Sequence, residues 1–241
     1  NYPKFKDKIK YIVIDKEPDG IVEENNNPTL QRANSLKRIE LSYNEHFNAI
    51  RDANDDDFIM LSDNDEIPNL DSEDFKKNKN NIVIFNQLFF YFKFNLLYDR
   101  MLWPGTKGCR KKNLKSFSWL RNIKFKKYPI WRIDTYFSNT KYSNLNIIND
   151  GGWHFTNLKS PKDMFEKFMN FGHHDEFKLS GITVDKIRDK ISKREMFYDH
   201  FADKSSKNKW DSDYKLKKID TDLLPRYLVS NREKYLEWFD L

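Results

Sequence analysis

FIMLSDNDEIP, residues 58–68, is the stretch on which the reading of this chain turns. Phe58-Ile59-Met60-Leu61 is a short apolar run that suits a buried strand, and the acidic cluster Asp63-Asn64-Asp65-Glu66 follows at its C-terminal end. Open α/β sheets bind ligands in the crevice beyond the carboxyl ends of their strands, so carboxylates placed there point to chemistry. Asp63 and Asp65, at i and i+2, can reach one hard cation, Mg²⁺ or Mn²⁺, and leave positions for diphosphate and water. Such an ion would offset charge on a leaving diphosphate. The plainer alternative is an acidic loop capping the next helix, with Pro68 shaping the turn.

Upstream of that stretch, IKYIVI at residues 9–14 is β-branched and aromatic and runs into a Pro18-Asp19-Gly20 turn, which predicts a strand. From Pro28-Thr29 onward, Leu30, Ala33, Leu36 or Lys37, Glu40, Tyr43, Phe47 and Ile50 keep roughly helical spacing, and predict a long helix. Strand, helix, strand implies a parallel α/β crossover. Downstream, IVIFNQLFFYFKF at residues 82–94 is the strongest β signal, one long strand or two with one face buried. Residues 98–128 predict irregular strands and loops, with Trp103-Pro104-Gly105-Thr106 as a turn. Short strands are expected at 130–136 and 151–158, then helices at 161–171 with Ser160 as N-cap, at 183–191, at 195–201 and at 226–239. The expected organisation is one α/β domain over 1–241, with a sheet core carrying the donor and metal site in 1–158 and a mainly helical part in 159–241.

Composition bounds the function classes. The 241 residues carry 43 Lys and Arg against 37 Asp and Glu, a formal charge of +6, with 16% aromatics, which is too much core-forming material for a disordered chain. Basic residues are interleaved with acids and form no long run, so no nucleic-acid partner is expected. No stretch reaches the roughly 20 apolar residues of a membrane span, and the mean hydropathy of -0.87 agrees. Cys109 is the single cysteine, which rules out an intramolecular disulfide and any Cys-based zinc cluster. The one Asn-x-Thr triplet, Asn27-Pro28-Thr29, has the excluded Pro in its middle. A cytoplasmic setting is expected and a Golgi lumen is not. The chain opens at Asn1 with no Met and no leader pattern, so no signal peptide is expected and a longer parent protein is.

Two further constellations can carry chemistry. In Asp150-Gly151-Gly152-Trp153-His154-Phe155, paired glycines let backbone approach a ligand, Trp153 offers a flat face for a sugar or base, and His154 can ligate a metal or take a proton. A tight turn with a core Trp and a structural His is the alternative. In Phe171-Gly172-His173-His174-Asp175-Glu176-Phe177, adjacent His and carboxylate groups permit general-base chemistry or metal ligation. Neighbours on a helix point to different faces, so the four polar groups cannot all serve one site. Trp103, Arg100 and Arg121 could hold a sugar ring and phosphates, whereas Cys109 has no nucleophile context.

Taken together, FIMLSDNDEIPNL, LQRANS at 30–35, WPGT at 103–106, DGGWHFTNL at 150–158, residues 171–177 and LPRYL at 224–228 resemble glycosyltransferase family 17, the family of the bisecting β-1,4-N-acetylglucosaminyltransferase, in a microbial or viral form. The resemblance implies a GT-A-like, Rossmann-like mixed α/β sheet, a UDP-sugar donor with UDP-GlcNAc expected, a divalent metal, a glycan acceptor and inversion at the anomeric carbon. It makes Asp63 and Asp65 the metal and diphosphate motif, with Glu66 beside them. It places His154 at a late-chain metal or phosphate contact, and Arg32 facing the nucleotide or ordering the acidic loop. Asp150, Asp175 and Glu176 are the candidate bases, and Trp103, Trp153, His173 and His174 the substrate contacts.

Two departures qualify the resemblance. Family members begin with a strand before the position of Asn1, so an N-terminal strand of the donor pocket is expected to be absent. The doubled His173-His174 leaves the pairing with Asp175 or Glu176 open. Against transfer stand a non-catalytic carbohydrate-binding protein of the same fold and a metal-dependent phosphohydrolase. The latter would want Thr or Val soon after the second Asp, where this chain has Glu66-Ile67-Pro68.

Overall fold

The computed structural model describes all residues except 1–2, 24–26, 171–173 and 203–206. In chain order its elements are α1 (Pro28–Ala49), β1 (Phe58–Leu61), β2 (Glu66–Pro68), α2 (Glu73–Lys76), β3 (Ile82–Tyr91), β4 (Leu96–Leu97), β5 (Trp103–Arg110), α3 (Phe117–Asn122), β6 (Leu145–Ile148) and β7 (Gly152–Thr156). They continue with α4 (Pro161–Asn170), α5 (His174–Ser180), α6 (Val184–Ser192), β8 (Lys217–Lys218) and α7 (Arg226–Ser230), with short 3₁₀ turns between. The architecture is mixed α/β, with parallel and antiparallel strand pairs. Among the described residues no helix is long and apolar enough to cross a membrane.

Two compact units gather from the chain. The first comprises Asn1–Leu61, Lys79–Val83 and Lys107–Asn146. Its long helix α1 starts where expected: the Asn27 side chain accepts from Thr29 N–H, and Pro28 sits in the first turn, where a missing N–H costs nothing. Phe47 packs edge-on against Phe117 of α3, with ring centroids 5.2 Å apart. β1 lies antiparallel to the second half of β5, from Phe58 opposite Arg110 to Leu61 opposite Lys107, and not in a parallel crossover. The crossover needed a first strand at 9–14, and that segment is irregular, with Tyr11 87% and Val13 68% exposed. β propensity makes a strand only where a neighbouring strand takes up its backbone groups. Residues 130–136, also expected as a strand, form an exposed turn around a 3₁₀ segment at Ile133–Thr135.

The second unit comprises Ser62–Asn78, Ile84–Thr106 and Ile147–Leu241. Its sheet is centred on β3, which pairs parallel with β7 and antiparallel with β4; β2 extends the β7 side and β8 the β4 side. β3 is a single strand buried along nearly its whole length, where one buried face was expected. Alternation explains this. Phe89 and Tyr91 enter a cluster with Phe168, Phe177, Phe197 and Trp210, while Phe90 enters another with Phe155, Leu224, Leu228 and Phe239. Both faces are therefore covered, as in a central strand.

The helices after β7 follow their caps. Ser160 Oγ accepts from Asp163 N–H ahead of α4, and Thr183 Oγ1 accepts from Lys186 N–H at α6. The expected helix at 195–201 is absent: Arg194 has φ +57, and Met196 N–H and Tyr214 C=O bond instead, so buried Met196 and Phe197 are held in extended chain. The expected helix at 226–239 breaks after Ser230 and resumes as a 3₁₀ segment at Arg232–Trp238. Trp103-Pro104-Gly105-Thr106, expected as a turn, opens strand β5, where Pro104 removes one N–H from the ladder but leaves φ compatible with a strand.

Candidate functional site

β2 and β7 bring the two most informative motifs side by side. They pair antiparallel with Glu66 opposite His154, Ile67 opposite Trp153 and Pro68 opposite Gly152. Just before β2 the Asp65 carbonyl accepts from Phe155 N–H at 2.8 Å, which fixes the acidic turn to β7. The ladder depends on Gly152, which has φ +106; a Cβ there would lie 2.1 Å from the Ile67 carbonyl oxygen.

His154 is 5% exposed and its ring packs with two aromatic rings in a three-membered cluster, Phe89 at 4.9 Å and Trp103 at 4.5 Å from it and 5.1 Å from each other. Its Nε2 is 3.5 Å from Asp65 Oδ1, and its Nδ1 is buried with no hydrogen-bond partner. Glu66 is held from several directions: Trp103 Nε1–H donates to Oε1 at 2.9 Å, and Asp63 N–H donates to Oε2 at 3.2 Å. Thr106 Oγ1, itself 2.5 Å from Ser62 Oγ, lies 3.4 Å from the same Oε2. Gly105 makes room for this arrangement, because a Cβ there would stand 2.0 Å from Gln87 Oε1 and 3.1 Å from Glu66 Cδ.

The two neighbouring carboxyls are driven in opposite directions. Burial raises Asp65, but the hydrogen bond and charge of His154, with the charge of Lys167, outweigh it and leave Asp65 below the ordinary carboxylate value. Burial, reinforced by the Asp63 charge, outweighs the Trp103 hydrogen bond and leaves Glu66 above it. Asp65 is thus the persistent anion of the pair, and Glu66 the one that protonates more readily.

Trp103 also walls a cavity of about 260 Å³ in the same unit, with Tyr198, Trp210, Asn157, Lys167 and His200 around it. That volume is below the ~300–1,000 Å³ of drug-sized ligand pockets and suits a single ring. Two hydrogen bonds line it. Lys167 Nζ donates to Asn157 Oδ1 at 3.0 Å, and the Tyr91 hydroxyl is 3.2 Å from His200 Nε2. Burial pushes the Tyr91 hydroxyl far up, so Tyr91 donates and His200 Nε2 accepts. Asn157 holds φ +57, a left-handed conformation Asn tolerates. Lys167 is partly buried, and burial lowers its pKa against the opposing pull of Asp65.

Burial, with the charge of His154, pushes His200 down to about 4 from 6.5, against the weaker pull of Asp199. Its folded pKa is depressed, so below pH 6.5 the unfolded chain takes up a proton that the folded chain refuses. Stability should therefore fall as pH drops from 6.5 through 4 and level off below, by about 3 kcal/mol at most for this group. Thermal melts of His200→Gln, which keeps an acceptor for Tyr91, should show a shallower drop over that window; an unchanged slope would place the acid sensitivity elsewhere.

The remaining expected site residues fall in several places. Asp63 sits in the turn before β2, half-buried. Trp153 lies next to His154 in β7 and so points to the opposite face of the sheet, where its Nε1–H donates to the Leu223 carbonyl at 2.6 Å; the two cannot address a ligand from one side. Asp150 accepts from Asn69 Nδ2 at 2.8 Å, at the far end of the β2–β7 ladder from Glu66 and His154. Glu176 accepts from Lys209 Nζ at 2.6 Å. His174 is half-buried at the start of α5, while His173 and the side chain of Asp175 lie outside the described residues. Arg32 is an exposed residue of α1, in the first unit.

Sequence reasoning missed Tyr91, Asn157, Lys167, Tyr198, His200 and Trp210. Only Lys167 carried a usable signal: it shares the inner stripe of α4 with Met164 and Phe168, at helical spacing.

Among the described residues, no three His, Cys, Asp or Glu side chains come together as a metal cage. Mg²⁺-like ions are held by one or two carboxylates with substrate phosphates and water supplying the rest, and a Mn²⁺ site can be open in the same way. Asp63 and Asp65 supply two carboxylates to the same acidic turn, the number such an open site uses, and Asp65 lies below the ordinary carboxylate value. Against family models, curated proteins and solved structures, the chain finds no match.

Proposed function

We propose that this chain is a metal-dependent inverting glycosyltransferase of GT-A type, moving a sugar, with GlcNAc expected, from a UDP-sugar to a glycan hydroxyl. The observation that carries the reading is the β2–β7 pairing, which sets Asp65 and Glu66 beside His154 and Trp103, next to an aromatic-walled cavity of single-ring size. Stacking faces with a few directed polar groups are what a pyranose ring asks of a protein.

Asp63 and Asp65 would hold the divalent ion, which when bound offsets the charge of the leaving diphosphate. His154 orients the Asp65 carboxylate, and the Phe89 and Trp103 rings packed against the imidazole restrain it. Glu66 anchors Trp103 through its indole N–H, so the indole face keeps one orientation at the cavity wall. Asn157 and Lys167 offer hydrogen bonds to ring hydroxyls from the opposite chemistry. Inversion also needs a carboxylate to take the acceptor hydroxyl's proton. Asp150 and Glu176 would each have to give up a present partner, Asn69 or Lys209, to do so. A cytoplasmic setting belongs to the same proposal, supported by the single cysteine and the blocked glycosylation triplet.

Calorimetry with UDP-GlcNAc, with and without Mn²⁺, tests the reading. Binding that requires Mn²⁺ is the expected result. Binding of free GlcNAc with no UDP-GlcNAc affinity in either condition would replace it with the non-catalytic carbohydrate-binding reading.

A further inference from the structure

The segment from Lys124 to Tyr142, in the first unit, inverts the usual economy of a surface loop. Its ends are tied together: Lys124 N–H donates to the Thr140 carbonyl at 2.8 Å and Tyr128 N–H to the Tyr142 carbonyl at 3.1 Å. Inside the closed excursion the polar groups satisfy one another. Asp134 accepts two bonds from Arg132 and one from Lys141, each at 2.7 Å, and these cations hold its carboxyl well below the ordinary range. The backbone turns on itself through Arg132 N–H to Pro129, Thr135 N–H to Arg132 and Tyr136 N–H to Ile133, while the Tyr136 hydroxyl bonds the Ile130 carbonyl.

The apolar side chains face outward instead. Ile130 is 70% exposed, Trp131 79%, Ile133 73%, Tyr136 75% and Phe137 85%. Single exposed apolar residues are ordinary, but five large ones within eight positions form a patch that marks an interaction surface. Residues 124–141 hold five basic residues against one acidic, and Lys124, Lys126 and Lys127 are all exposed. With Arg132 and Lys141 occupied by Asp134, those three lysines supply the outward charge.

We infer that this loop docks the protein on an anionic lipid surface, with Trp131, Tyr136 and Phe137 entering the headgroup region and Lys124, Lys126 and Lys127 contacting lipid charge. Trp and Tyr favour that depth because an apolar ring and a polar tip are both accommodated there. Lysines beside such a wedge add electrostatic attraction to acidic lipids. Backbone groups already bonded within the loop can enter a less aqueous layer at small cost. A symmetric contact between two copies is disfavoured by the same charge, since it would set identical lysine clusters against each other. The inference concerns a peripheral contact and stands independently of sugar transfer.

Flotation of the full chain with phosphatidylcholine vesicles, and with vesicles containing about 30% phosphatidylserine, tests it. Binding is expected with the acidic vesicles only, weakening as salt rises from about 0.1 M to about 0.5 M. The double variant Trp131→Ser, Phe137→Ser should bind about ten-fold more weakly or worse, and Lys126→Glu, Lys127→Glu should lose the preference for acidic lipid. Both change exposed residues, so their melting temperatures should match the wild type and separate lost docking from lost fold. Absence of wild-type flotation, or equal flotation of both variants, overturns the inference. A dimer in solution that the Trp131→Ser, Phe137→Ser variant dissociates would overturn it too, and assign the patch to a second copy of the chain.

Discussion

Asp65→Asn should lower transfer from UDP-GlcNAc by about a hundred- to a thousand-fold in kcat, the loss typical when one preorganised charge is removed from a reacting centre. The substitution preserves size, and leaves an oxygen that can still face His154 Nε2, now 3.5 Å from Oδ1. It leaves untouched the Asp65 carbonyl that accepts from Phe155 N–H. What it removes is the anion that His154 and Lys167 hold below the ordinary carboxylate range. The melting temperature should therefore stay within a few degrees of the wild type, about 1 kcal/mol or less. A UDP-release assay beside a thermal melt reads both quantities. Turnover retained at the wild-type rate, in a protein of wild-type stability, would remove Asp65 from the reaction.

Gly152→Ala should act in the opposite manner, through the fold. At φ +106 an alanine is strained by its own backbone, and its Cβ would stand 2.1 Å from the Ile67 carbonyl oxygen and 2.7 Å from Asn69 N. Both obstacles are backbone atoms, one in β2 and one in the residue that follows it, so no side-chain rotation relieves them. A cost of about 3 kcal/mol or more is expected, which at ~2–4 °C per kcal/mol for a chain of this size lowers the melting temperature by about 10 °C. The shift of β2 against β7 should also displace Glu66 from His154, so UDP-GlcNAc binding should fall in whatever fraction stays folded. A melting temperature within about 2 °C of the wild type would show that the ladder yields at this point and does not set the site.

These two substitutions divide along the line between what was legible in the chain and what was not. The strand at 58–61, the long helix from Pro28, the strand at 82–91 and the capped helices after Ser160 and Thr183 were legible, because their signals are local. Caps, periodicity and an apolar run act within a few residues of themselves. Where the prediction failed, at 9–14, 103–106, 130–136 and 195–201, the outcome depended on a partner strand or on burial contributed by residues far along the chain. Met196 and Phe197 could have faced inward from a helix as well as from extended chain; the bond from Met196 N–H to Tyr214 decides between them.

The sequence by itself determined the chemistry available: Asp63, Asp65 and Glu66 in one turn, His154 behind paired glycines, and a resemblance carried by their order. Residue type and short spacing are one-dimensional properties, and they survive unchanged into the fold. Tertiary structure alone decided which groups meet. It set Glu66 opposite His154 across more than eighty residues, turned Trp153 away from His154, and brought the Lys167–Asn157 and Tyr91–His200 hydrogen-bonded pairs to one cavity wall. It also left Trp131 exposed in a segment expected as a strand, with Phe137 exposed just beyond it. Contacts of that kind depend on strand register and on the exclusion of water from a shared interior, and neither is written in any single stretch of the chain.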